Sequence, residues 1–170
     1  MSRETVRSAI TNYLSAAGIT NLSGVKPFPA KFTPEMEFFE GQDPGHDSGA
    51  ILYIYFASQR ENRIALGGSH SGQKAVEYEV VLDCFLRSHH SKAEDAGSDN
   101  EAFLDSLVAA IRADRQAGAP TVIFQWGEGV FPGSADVNVV SYYPRQLNGR
   151  ASATQIYSSV RVSVVEIIYS

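Results

Sequence analysis

Between Ala75 and Arg87 the chain alternates: Val76, Tyr78, Val80, Leu82, Cys84 and Leu86 fall on one side, and Glu77, Glu79, Asp83 and Arg87 on the other. Successive side chains of a strand point to opposite faces, so a period of two predicts a half-buried antiparallel strand here. Upstream, Ile51 to Phe56 is a continuous run of aliphatic and aromatic residues. It is short enough for a strand buried on both faces. Between the two lies a polar segment with Gly67, Gly68 and Gly72 marking bends. The simplest reading is a long hairpin whose strands are joined by a flexible arm at about 57–74.

Helical periodicity flanks this hairpin. Val6, Ile10, Tyr13, Leu14 and Ala17 form one apolar stripe, which predicts a helix over 3–17. Ser2 is placed to cap it, and Gly18 to end it in the left-handed conformation. Ser98-Asp99-Asn100-Glu101 has the serine and glutamate spacing of a capping box. Leu104, Leu107, Val108 and Ile111 follow at helical spacing, before Gly118 and Pro120 stop the helix. Further strands are expected over Thr121–Trp126, Val137–Tyr143 and Ala153–Ile168, the last with Ile156, Val160, Val162, Val164 and Ile168 inward. From Asn21 to Gly49, Pro27, Pro29, Pro34 and Pro44 punctuate an acidic, loop-like stretch. Val25 and Phe28 anchor a short edge strand there, and Phe38 and Phe39 pin the loop. The order implies one α+β domain over 1–170, a mainly antiparallel sheet with two main helices packed on one face.

Composition narrows the function classes. The 170 residues suit one domain with one core. Net charge is −5, and Arg3, Arg7, Arg60, Arg63, Arg112 and Arg115 are scattered. Nucleic-acid binders usually carry a basic stripe, so a tight grip on DNA is disfavoured. The one cysteine, Cys84, allows neither an internal disulfide nor a paired-cysteine metal knuckle. Its place on the apolar side predicts a buried, inert thiol. The N-terminus opens into helix without the apolar run of a signal peptide, and no stretch has the length of a membrane span. The expected location is a cytoplasm or a particle assembled there.

No residue set converges on a reaction. His89 and His90 are adjacent, so in a strand they point to opposite faces. His46 and His70 have no partner at helical chelating spacing. Surface or loop histidines, and no metal, are the expectation. Glu77, Glu79 and Asp83 share a strand face, but a polar face on an antiparallel strand is ordinarily solvent-facing. They are read as a solvent- or channel-facing acidic face. Gly67-Gly68-Ser69-His70-Ser71-Gly72 lacks the lysine and following helix of a phosphate-binding loop. Neither a nucleophile elbow nor a zinc-protease motif occurs. The expectation is a non-enzyme without cofactors. What remains is contact surface: Ile64 and Leu66 sit beside Arg63 in a polar arm. They are either single exposed aliphatics, which are common, or a subunit interface over a neighbouring copy.

The segment Ala102-Phe103-Leu104-Asp105-Ser106-Leu107-Val108-Ala109-Ala110-Ile111-Arg112-Ala113-Asp114-Arg115, followed by Thr121-Val122-Ile123-Phe124-Gln125-Trp126-Gly127-Glu128, resembles the central portion of siphovirus tail terminator proteins. The N-terminal helix, the hairpin with Val80-Val81-Leu82-Asp83 and the long C-terminal strand are similar to that family's layout, so the resemblance spans nearly the whole chain. It implies a virion protein that forms a ring, usually of six subunits. Such a ring caps the last tail-tube ring, stops polymerisation and joins the tail to the head. The implied partners are further copies of itself, the major tail protein and the head-completion or neck proteins, with DNA only in transit. The family has no catalytic residues to transfer. A head–tail adaptor or tail-tube protein is the rival reading, and a small phage-encoded enzyme the next.

Overall fold

The computed structural model describes residues 3–28, 49–65, 72–88, 93–114, 116–117, 124–126, 138–142 and 154–169. Helix α1 spans Arg3–Ala16, strand β1 Leu22–Lys26, β2 Gly49–Ala65 and β3 Gln73–Ser88. Helix α2 spans Ala93–Ala113, and β4 (Phe124–Trp126), β5 (Asn138–Tyr142) and β6 (Thr154–Tyr169) follow. The strands form one sheet in the order β1-β2-β3-β6-β4, with β5 also paired to β6. Among the described residues, β1 runs parallel to its neighbour β2, and the other pairings are antiparallel. The protein is therefore α+β, as its periodicities require. Val6, Ile10 and Leu14 of α1 and Phe103, Leu107 and Ile111 of α2 meet the even-numbered residues of β3 in one apolar core. Both helices lie on that face.

The strand at the centre differs from expectation in one respect. β3 is flanked along its whole length, by β2 on one side and β6 on the other. Its second face is consequently also covered: Val81, Asp83 and Phe85 are buried beside Tyr53, Tyr55 and Tyr157. Period two reports alternation, not exposure, so a central strand with a polar second face reads from sequence as half-buried.

The hairpin is longer in its paired part than the composition suggests. A bulge between Phe56 and Ser58 resets the alternation, and pairing continues to Ala65↔Gln73. Residues 57–65, expected as arm, are strand, and β6 accompanies β3 down to Gln73↔Tyr169. Polar side chains such as Gln59, Glu61 and Asn62 stand exposed there, and Glu61 pairs with Lys74 at 3.9 Å. Leu66 and residues 67–71 lie outside the described residues, as do the acidic segment 29–48 with Phe38 and Phe39, and Ser2.

Helix α2 begins at Ala93, five residues before the expected serine cap, and Ser98 is exposed within it. Glu94 and Asp95 occupy the first turn, where carboxylates oppose the positive end of the helix dipole. Ala96 and Asn100 extend the buried stripe backwards, so packing carries the helix through the capping motif. Gly18 takes positive φ (65°) after α1, as its position implied.

Gly49 opens β2 at φ 128°, and a Cβ there would collide with Ser23 Oγ and crowd the Asn21 carbonyl oxygen. The Ala50 N–H donates to that same carbonyl at 2.7 Å, tying β2 to the turn before β1. Gly49→Ala combines backbone strain of about 1–3 kcal/mol with a steric clash against the Ser23 side chain. A denaturant titration should show a midpoint lowered by at least that equivalent, with unchanged slope.

Candidate functional site

The face of the sheet away from the helices carries the chemistry-bearing side chains. β2, β3 and β6 bring Tyr53, Asp83 and Ser159 into one row, and Ile51, Phe85 and Tyr157 into the next. Phe85 packs edge-on against Tyr53, at 5.7 Å between ring centroids, and tilted against Tyr157 at 4.9 Å. The Tyr157 hydroxyl donates to Asp83 Oδ1 at 2.7 Å. Burial raises the Asp83 pKa above the ordinary carboxylate range, and hydrogen bonds from Tyr157 and Ser159 partly offset it. Burial, reinforced by the bond to Asp83, raises the Tyr157 phenol as well.

Asp83 thus corrects the expected acidic face. It is 8% exposed and belongs to a buried polar–aromatic cluster, not to a solvent- or channel-facing surface. Glu79 is compensated: Arg161 Nη1 lies 3.0 Å from its carboxylate, and Ser58 Oγ donates to it at 3.2 Å. Glu77, half-buried, stands opposite Arg60 of β2. One strand face carries all three carboxylates, but each has a different surrounding.

A sign follows for stability. The folded-state pKa of Asp83 lies above its unfolded value of about 3.9. Between the two values the folded state binds more protons, so stability falls as pH rises through that interval. Asp83→Asn removes this loss while keeping an acceptor for Tyr157. The melting temperature of the variant relative to the parent should rise as pH is raised from 3 to 7. A constant difference would contradict the assignment.

Two further groups escaped the sequence reading. Glu166 is buried on the helix-facing side of β6, and the Tyr78 hydroxyl donates to its Oε2 at 3.1 Å. Burial first, and the Glu166 charge second, push the Tyr78 phenol up to about 12. The signal was present: Glu166 falls between Val164 and Ile168 in the inward period. The second is Arg7, whose guanidinium lies 4.6 Å from the Phe28 ring centroid and 5.0 Å from that of Phe56. Nothing in local sequence brings residues 7, 28 and 56 together.

Of the expected interface residues, Arg63 is exposed on β2, Ile64 has its backbone in the same strand, and Leu66 lies outside the described residues. The four histidines also lie outside them. Cys84 forms no disulfide and is buried, and burial raises its thiol pKa. Among the described residues no cluster of three His, Cys, Asp or Glu side chains is arranged to hold a metal, and no helix is long and apolar enough to cross a membrane. A pocket of about 210 Å³ beside Gly49 is lined by Asn21, Leu22, Ser23, Leu86, Arg87 and Asp99. It is smaller than the ~300–1,000 Å³ typical of small-molecule sites. No protein-family model matches the chain, and no curated protein matches it.

Proposed function

We propose that this chain is a structural protein of a long-tailed bacteriophage, the ring-forming tail terminator that caps the tail tube, ends its polymerisation and joins it to the head. The observation that carries the reading is an order of elements similar to that family's layout. It comprises α1, the long β2–β3 hairpin, α2 closing in Ile111-Arg112-Ala113, and the long β6. A net charge of −5 supports it, because a DNA conduit functions by not holding its cargo. Under this reading the partners are further copies, the major tail protein and the neck proteins. No catalytic or cofactor-binding residue is required. A head–tail adaptor or tube protein is told apart by its position in the particle.

The reading is tested by adding the purified chain to tube protein as it polymerises. Small amounts should stop growth and leave tubes with one capped end. Ile64 and Leu66 together contribute ~3–6 kcal/mol if each is buried against a neighbour, at ~1.5–3 per aliphatic side chain. Ile64→Ser with Leu66→Ser should therefore abolish capping while the melting temperature of the subunit stays nearly constant. Tubes that grow on past the added chain would refute the terminator reading. A destabilised subunit that still caps would place both residues in the core.

A further inference from the structure

The two helices present opposite charges at their outer flanks. On α1, Tyr13 faces α2, its hydroxyl donating to the Ala110 carbonyl oxygen at 2.8 Å. At 3.6 residues per turn, Arg3 and Arg7 share the other flank. Arg7 stacks there on Phe56 and Phe28, and Arg3 Nε donates to Gln59 Oε1 at 2.7 Å. On α2, Ser106 accepts from the Thr20 N–H at 3.1 Å, which marks the side turned to α1. Glu94, Glu101 and Asp105 are exposed, and their spacing sets them on the flank turned away, with Arg112 at its end. α1 packs on β1 and β2, α2 on β3 and β6, so these flanks are the two outer sides of the helical layer.

Among the described residues, neither flank is compensated. No ion pair joins Arg3, Arg7, Glu94, Glu101 or Asp105 to an opposite charge among the described residues. Like charges at i and i+4 repel, and Arg3 and Arg7 have that spacing. Among the described residues, no hydrogen-bond acceptor meets the buried Arg7 Nε. Phe28, 61% exposed, sits against the same guanidinium. Aromatic residues and arginine are both enriched at protein–protein interfaces relative to the rest of the surface.

We propose that the Arg3–Arg7–Phe28 flank of one copy docks on the Glu94–Glu101–Asp105 flank of the next. The contact is head-to-tail: the patches differ, and each subunit carries one of each. Such heterologous contacts generate a closed ring when the rotation closes. The inference rests on the ring-forming reading and adds which surfaces meet.

The test is sedimentation velocity of the purified chain across a wide concentration range. Wild type should self-associate, and more weakly at high salt, where exposed charges are screened. Arg3→Glu with Arg7→Glu should weaken association about tenfold or more, because like charges then face each other. Glu101→Arg with Asp105→Arg should do the same, and all four changes in one chain should restore it. Melting curves check each fold; should Arg7→Glu unfold the subunit, Arg3→Glu alone replaces the first pair of changes. Association that survives every reversal, or that the combined variant fails to recover, overturns the flank contact and leaves the ring reading standing. A chain monomeric throughout overturns both.

Discussion

Replacing Phe103 with alanine is expected to lower the stability of the free subunit by about 3–5 kcal/mol, the usual cost of emptying a buried aromatic site. Phe103 is fully buried, in the core cluster with Leu107 and Ile111 of α2 and the even-numbered residues of β3. Each kcal/mol shifts the melting temperature of a domain this size by roughly 2–4 °C, so a drop of roughly 6–20 °C should appear in calorimetry. Ser98→Ala gives the contrast. A serine capping the helix would cost ~1 kcal/mol on replacement. In the interior of α2, where Ser98 is exposed, alanine is the better helix former, and the change should be neutral or slightly stabilising. A loss of ~1 kcal/mol in Ser98→Ala would mean that α2 starts at Ser98.

That contrast also shows what local sequence carries. The alternation of β3 and the apolar stripe of α1 were legible because each is a short-range period that packing then uses unchanged. The start of α2 was not, because a capping motif is a local preference that two buried positions, Ala96 before the motif and Asn100 within it, override. The burial of Asp83 was hidden for a different reason. It depends on Tyr53 and Tyr157 arriving from neighbouring strands, and Tyr157 is 74 residues away in the chain. The Arg7–Phe28–Phe56 stack and the opposed flanks of α1 and α2 are likewise products of topology. Glu166 alone could have been found, by applying period two strictly through Val164 and Ile168.

Phage that lack this chain are expected to make tails of irregular length and heads that fail to join them, with a near-complete loss of infectious particles. The proposed role is stoichiometric: one ring per tail stops a polymerisation that has no other chemical end. On this proposal, tube growth without the ring should continue until subunits are depleted. Electron micrographs of lysates should show overlong tubes beside separate filled heads. Tails of normal length, still attached, would make the terminator role untenable. Heads with no tails at all would favour a tube or initiator role.

The most direct measurement is an averaged image of the neck in purified particles, at a resolution that traces the chain. The account predicts one ring of this α+β subunit between the last tube ring and the neck proteins. In that ring the outer flank of α1 of each copy should meet that of α2 in the next. Finding the chain repeated along the tube, elsewhere in the particle, or absent from it would contradict the account.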